Sequence, residues 1–176
     1  MRSIELTFDP DTDAAFRAEW AQLSAAGLPN LGLHQGSSNR PHLTLAAGPG
    51  LQVTDALLAV FQSPGEAARP PLSIELRTSG LVLFQAGPGR SVLARPVVMT
   101  RDLLDLHRTA LAAAPGAVEQ SQPNRWTPHV TLARRLTASQ VAEAIGILGP
   151  PPAAGLWVAA RFWNGEQKTL TALTIP

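Results

Sequence analysis

The chain contains no cysteine and no tyrosine. Without cysteine there is no disulfide, no thiolate nucleophile and no cysteine-ligated zinc or iron–sulfur centre. Charge of one sign is lacking too: formal net charge is +1, so no strong global field draws the molecule to nucleic acid or to a membrane surface. Lysine is nearly absent. Lys168 is the only one among fourteen basic residues, and a skew this complete reflects base composition more than function. No apolar run approaches the ~18 residues of a membrane span. The opening "MRSIELTFDP" has no apolar stretch ahead of a cleavage site, so a cytoplasmic location is expected. What remains is 176 residues, 45% hydrophobic and 15% charged, which suits a single globular domain over 1–176.

Ser3 to Phe8 alternate as a strand should. Asp9-Pro10 supplies a helix cap followed by a proline at the first helical position. Phe16, Trp20 and Leu23 continue at helical spacing until Gly27. A polar loop leads to a strand from His42 to Ala46. Thr54 caps a short helix, and "SPGEAARPP" breaks it. Leu72 to Arg77, "GLVLF" and "SVLARPVV" read as strands, and Thr100 opens another helix. After a long loop comes a strand starting at His129. "TASQ" at 137–140 is a capping-box pattern, and "LWVAARFW" with "TLTALTI" flanks a hairpin signal at Asn164-Gly165.

One short pattern occurs twice. In "RPHLTLAAG" Leu43 and Leu45 share one strand face, and His42 and Thr44 share the other. In "TPHVTLARR" Val130 and Leu132 stand opposite His129 and Thr131. Each copy is preceded by proline, Pro41 or Pro128, and each lies between helices. The separation of 87 residues (129 minus 42) predicts two similar half-domains. One His-x-Thr alone reads as a packed histidine and a β-former. Two copies facing one another would bring two imidazoles and two hydroxyls into one volume. Histidine titrates near neutrality, so the pair can divide acid and base work, while hydroxyls hold phosphate oxygens. That set suits phosphodiester cleavage or formation and calls for no metal and no cofactor.

With these motifs the chain resembles the 2H phosphoesterase superfamily, in particular its 2′–5′ RNA ligase and cyclic phosphodiesterase branch. "HLTL" (42–45) and "HVTL" (129–132) carry the resemblance, together with "LVLFQAGPGRSVLARPVV", "LLDLHRTAL" and "WTPHVTLAR". It implies an α+β, bilobal fold. Two pseudo-symmetric half-domains of antiparallel sheet, with helices packed outside, would flank an active-site cleft. It implies that His42 and His129 are the acid–base pair and that Thr44 and Thr131 bind phosphate. It implies opening of 2′,3′-cyclic phosphates to 2′-phosphates, or reversible 2′–5′ ligation. The scarcity of lysine and the lack of a basic run fit a small nucleotide or short RNA end, handled by a monomer with no membrane partner.

Other residues are weighed beside these. Arg134 is a phosphate clamp by resemblance, although strict alternation would turn Arg135 toward His129. Phe84 and Trp126 are platforms for a base, with core packing as the competing reading. His34 reads as a loop histidine, His107 and Trp20 as buried, and Trp157, Arg161 and Trp163 as one surface strand face. Two other classes compete. A binding module without turnover would not need both histidines. A zinc hydrolase would leave the threonines idle and lacks a His-Glu-x-x-His pattern.

Overall fold

Apolar alternation in the strands and apolar stripes on the helices build one sheet with helices laid against its apolar side. The computed structural model describes residues 1–34, 36, 38–62, 74–152 and 154–174. In chain order the elements are β1 (Arg2–Phe8), α1 (Pro10–Ala25), β2 (Leu43–Gly48), α2 (Asp55–Gln62), β3 (Ile74–Leu76), β4 (Val82–Gln85), β5 (Ser91–Pro96), α3 (Arg101–Ala113), β6 (His129–Leu136), α4 (Ala138–Ile147), β7 (Gly155–Asn164) and β8 (Thr169–Ala172). Short 3₁₀ turns cover Leu31–Leu33 and Glu119–Ser121. The break expected at 63–71 and the strand start at Leu72 lie outside the described residues.

Local sequence explains most boundaries. The Asp9 side chain accepts from Thr12 N at 2.9 Å and starts α1, with Pro10 at its first position. Gly27, at φ 70°, takes the left-handed turn beyond its end. Thr100 caps α3, and Thr137 with Gln140 forms the expected capping box of α4.

The fold is α+β with a curled antiparallel sheet and four α-helices among the described residues. Strand order is β3-β7-β1-β2-β6-β5-β4, with β8 on β7 as well. The motif strands β2 and β6 do not confront each other from separate sheets. They are antiparallel neighbours at the middle of this one, joined at the register pair Leu43↔Val130. Both of these residues are fully buried, in one contiguous core with Ile4, Leu6, Phe16 and Trp20. Truncating such a leucine to alanine costs about 2–5 kcal/mol. Arg95, 1% exposed, crosses this core layer. It pairs with Glu19 of α1 and donates to the carbonyls of Gly80 and Gly149, both at 2.8 Å.

Register shifts shape the opposite, polar face, one of them at each motif; β5–β6 has a further shift at Arg134–Arg135 and β1–β7 one between Thr7 and Phe8. Glu5 pairs with Thr44 and Ile4 with Ala46, so Leu45 is an extra residue in β2. Ala94 pairs with Thr131 and Leu93 with Ala133, so Leu132 is an extra residue in β6. Each motif thus ends in a β-bulge at its final leucine. A bulge sets two residues against one and reverses the alternation beyond it. Leu45 with Ala46, and Leu132 with Ala133, are accordingly buried as adjacent pairs.

Candidate active site

The two motif strands present their polar residues on the face away from the helices. His42 precedes β2 by one residue and His129 begins β6. Continuing the antiparallel register of Leu43↔Val130 by one residue sets His42 opposite Thr131, and Thr44 opposite His129. The two pairs therefore interleave diagonally on adjacent strands.

Both rings are tethered alike. His42 Nδ1 lies 2.7 Å from the Arg40 carbonyl, and His129 Nδ1 lies 2.7 Å from the Thr127 carbonyl. A carbonyl oxygen can only accept, so each Nδ1 carries the hydrogen. Each neutral ring then offers its lone pair at Nε2. The recurring prolines account for the shared geometry. Pro41 and Pro128 stand between carbonyl and ring; proline fixes its own φ and keeps the residue before it extended. Both chains thereby enter their motifs by the same path.

The carbonyls of the motif threonines are also served alike. Trp126 Nε1 donates to Thr44 O at 2.9 Å, and Trp20 Nε1 donates to Thr131 O at 3.4 Å. A bulge disturbs ladder pairing at its neighbours, and a buried carbonyl needs a donor. This corrects the reading of Trp126 as a base platform. It lines neither concavity of the site, is buried, and stacks on His107 at 3.9 Å between centroids. His107 itself is 2% exposed, with Nε2 bonded to Ser121 O at 3.0 Å.

Around the motifs the surface forms two concavities. The first, about 690 Å³, is lined by Glu5, His42, Thr44, Arg134, Arg161 and Trp163, with His34, Arg40 and Lys168 among others around them. The second, about 420 Å³, is lined by Phe84, His129, Thr131, Arg134 and Arg135, with Ala86 and Val92. Arg134 lines both. Strict alternation favours Arg135, but the bulge at Leu132 reverses the phase and turns Arg134 to the His129 side. Arg135 has φ 61° and leaves regular strand geometry.

The two histidines differ in surroundings. His129 is held below the usual imidazole range, first by burial and then by the positive charges of Arg134 and a protonated His42; the bond to Thr127 O opposes this. The Phe84 ring packs against it at 4.6 Å between centroids, which places Phe84 at the site. His42 instead faces a carboxylate: Nε2 is 3.7 Å from Glu5 Oε1.

Sequence reasoning passes over Glu5 and reads its partner Arg161 as part of a surface strand face. Arg161 does not lie on a surface strand face with two tryptophans. Its Nε donates to Glu5 Oε2 at 2.8 Å, and Trp157 has turned into the core beyond a register shift in the β1–β7 pairing. Trp163 remains on the Arg161 side and lines the first concavity. A signal for Glu5 existed: it sits mid-strand, where Ser3, Glu5 and Thr7 alternate with the apolar set.

No group of three or more His, Asp or Glu side chains suited to a metal ion occurs among the described residues, and no described helix is long and apolar enough to cross a membrane. A family model described as the 2′-5′ RNA ligase superfamily matches residues 9–166. No curated protein matches the chain.

Proposed function

The chain belongs to the 2′–5′ RNA ligase superfamily, the 2H phosphoesterases, and from that premise we propose that it opens 2′,3′-cyclic or related cyclic phosphates to 2′-phosphates. The substrate is a small nucleotide or a short RNA end. The superfamily implies phosphoesterase or ligase activity in general; the direction and the roles below are our reading. One observation carries it: two histidines tethered identically at Nδ1, one beside a carboxylate and the other half-buried against Phe84 and held below the usual imidazole range.

In this reading the neutral His129 is the base. Its Nε2 takes a proton from water as the water oxygen attacks phosphorus. The bond from phosphorus to O3′ breaks, and protonated His42 gives its Nε2 proton to that oxygen. One water is consumed and a 2′-monophosphate remains. With a 5′-hydroxyl in place of water, the same transfers form a 2′–5′ linkage. Thr44 and Thr131 donate hydrogen bonds to the non-bridging oxygens, and Arg134, between the two concavities, adds a charge-assisted contact. The halves β7-β1-β2 and β6-β5-β4 act as two lobes, with the substrate lying along their seam. A single chain supplies every group, so we read the active species as a monomer, and we propose that it acts in the cytoplasm.

The test is incubation with 2′,3′-cyclic nucleotides, an ADP-ribose cyclic phosphate and 2′–5′ dinucleotides, all in EDTA. Acid, base and phosphate donors are supplied by side chains, so turnover to 2′-phosphates should survive chelation. Loss of turnover restored by a divalent metal, or binding without turnover, overturns the reading.

A further inference from the structure

Glu5 has been described as a neighbour of His42, but its burial demands a reason. The residue is 4% exposed, and an ionised carboxylate that far from water is costly unless charge and hydrogen bonds compensate it. Ser3 Oγ donates to Oε1 at 2.7 Å, and Arg161 Nε donates to Oε2 at 2.8 Å. Arg161 reaches on through Nη1 to the Ser38 carbonyl at 2.9 Å, in the loop that leads into His42. The register builds this row. Arg161, Glu5 and Thr44 are successive cross-strand partners on β7, β1 and β2, so they share the polar face.

Oε1 retains acceptor capacity after the serine bond, and it is this oxygen that stands 3.7 Å from His42 Nε2. Apart from Glu5, the charged or titratable residues lining this concavity are bases: Met1 at the amino terminus, Arg161 on β7, Arg134 on β6, His34 and Arg40 in the preceding loop, and Lys168 in the β7–β8 connection, with His129 on β6 also within electrostatic reach of His42. Among the described residues Glu5 is the only carboxylate lining this concavity. In the other half, the position opposite the motif threonine is Ala94.

We infer that Glu5 is a positioning residue that holds the His42 imidazolium and so commits His42, rather than His129, to the acid role. This deepens the function proposed above and rests on it. The separation matters: 3.7 Å is too long for a hydrogen bond, so the carboxylate attracts the cation without tying up its proton. The proton stays available to a leaving oxygen, while the Arg40 carbonyl holds the opposite side of the ring.

The experiment is Glu5→Gln, which keeps the shape and removes the charge. Ring ¹⁵N resonances of His42 are followed against pH in both proteins, beside the pH profile of kcat. In Glu5→Gln the His42 ring should lose its proton at lower pH than in the wild type. The alkaline limb of kcat should move the same way, with kcat above neutrality down about tenfold or more and KM little changed. A His42 ring that titrates at the same pH in both proteins overturns the inference. So does a wild-type alkaline limb retained by the variant. Should Glu5→Gln not fold, Glu5→Asp keeps the charge but draws it back from the ring by one methylene, and the same changes should appear in the same direction at smaller size. Absence of turnover in the wild type would instead defeat the functional reading, and the ring titration still decides whether Glu5 holds the cation.

Discussion

The half built from β7, β1 and β2 and the half built from β4, β5 and β6 share a framework and differ in what they hang on it. Each has a proline-led histidine tethered to the carbonyl two residues back, a bulge at the last motif leucine, and an indole N–H on the threonine carbonyl. Opposite the threonine, one half has Glu5 and the other Ala94. Five residues after the histidine, one has Ala47 and the other Arg134. One half thus contributes a carboxylate and the other a guanidinium. Repetition sets where the two histidines and two threonines stand, and in the proposed reaction these two differences assign the acid role and the phosphate contact.

The strongest way to break the comparison is to remove the groups that are the same. His42→Ala and His129→Ala should each lower the chemical rate by about two to four orders of magnitude, as for a positioned acid or base. Single-turnover rates on a cyclic nucleotide measure this. The double variant should lose much less than the product, because both groups serve one coordinated transfer. Two equal but purely additive losses would mean that the rings work independently.

Next come the proposed phosphate contacts. Thr44→Val, Thr131→Val and Arg134→Gln each delete hydrogen bonding to a charged group, worth about 1.5–3 kcal/mol, or roughly ten- to a hundredfold in kcat/KM. Thermal melts of the valine variants should change little, since the leucine face is untouched. Arg135→Ala is the control for the bulge and should cost less than Arg134→Gln; the reverse order would mean that the phase reversal does not aim Arg134 at substrate.

Subtler is the difference between the rings. Because His129 is held below the ordinary imidazole value of 6.5, the acid limb of kcat/KM should lie below pH 6.5. Phe84→Ala lets water reach that ring and should move the limb upward toward 6.5. An unmoved limb would show that Phe84 does not keep His129 dry.

The smallest effect is on stability. His107, like His129, is held below 6.5, chiefly by burial. As pH falls below 6.5 the unfolded chain takes up these protons before the native one does, so unfolding becomes easier through that window and recovers above it. Urea midpoints between pH 5 and 8 would report the slope, and His107→Gln should flatten it. A midpoint that rises on acidification would contradict the assignment.

Much of this was legible in the chain. Alternation gave the motif strands, and capping residues gave the starts of α1, α3 and α4, because those signals are local. Which Arg stands between the two concavities was not legible by counting, since the bulge reverses the count; the adjacent buried pairs Leu45-Ala46 and Leu132-Ala133 were its trace. The roles of Glu5, Arg161 and Trp126 depend on partners 156 and 82 residues away, and no local pattern encodes such pairings. Likewise, facing strands and neighbouring strands share one alternation pattern, so only the sheet order separates them.

The tethers at Nδ1 also bear on temperature. Each imidazole gives up its rotation when the protein folds, because its ring nitrogen is already bound to the backbone before any substrate arrives. Little ordering of these rings is then left for the climb to the transition state. The chemical step should therefore show a barrier that is mostly enthalpic, with a modest activation entropy. Heating would speed turnover steeply until the motif strands themselves loosen.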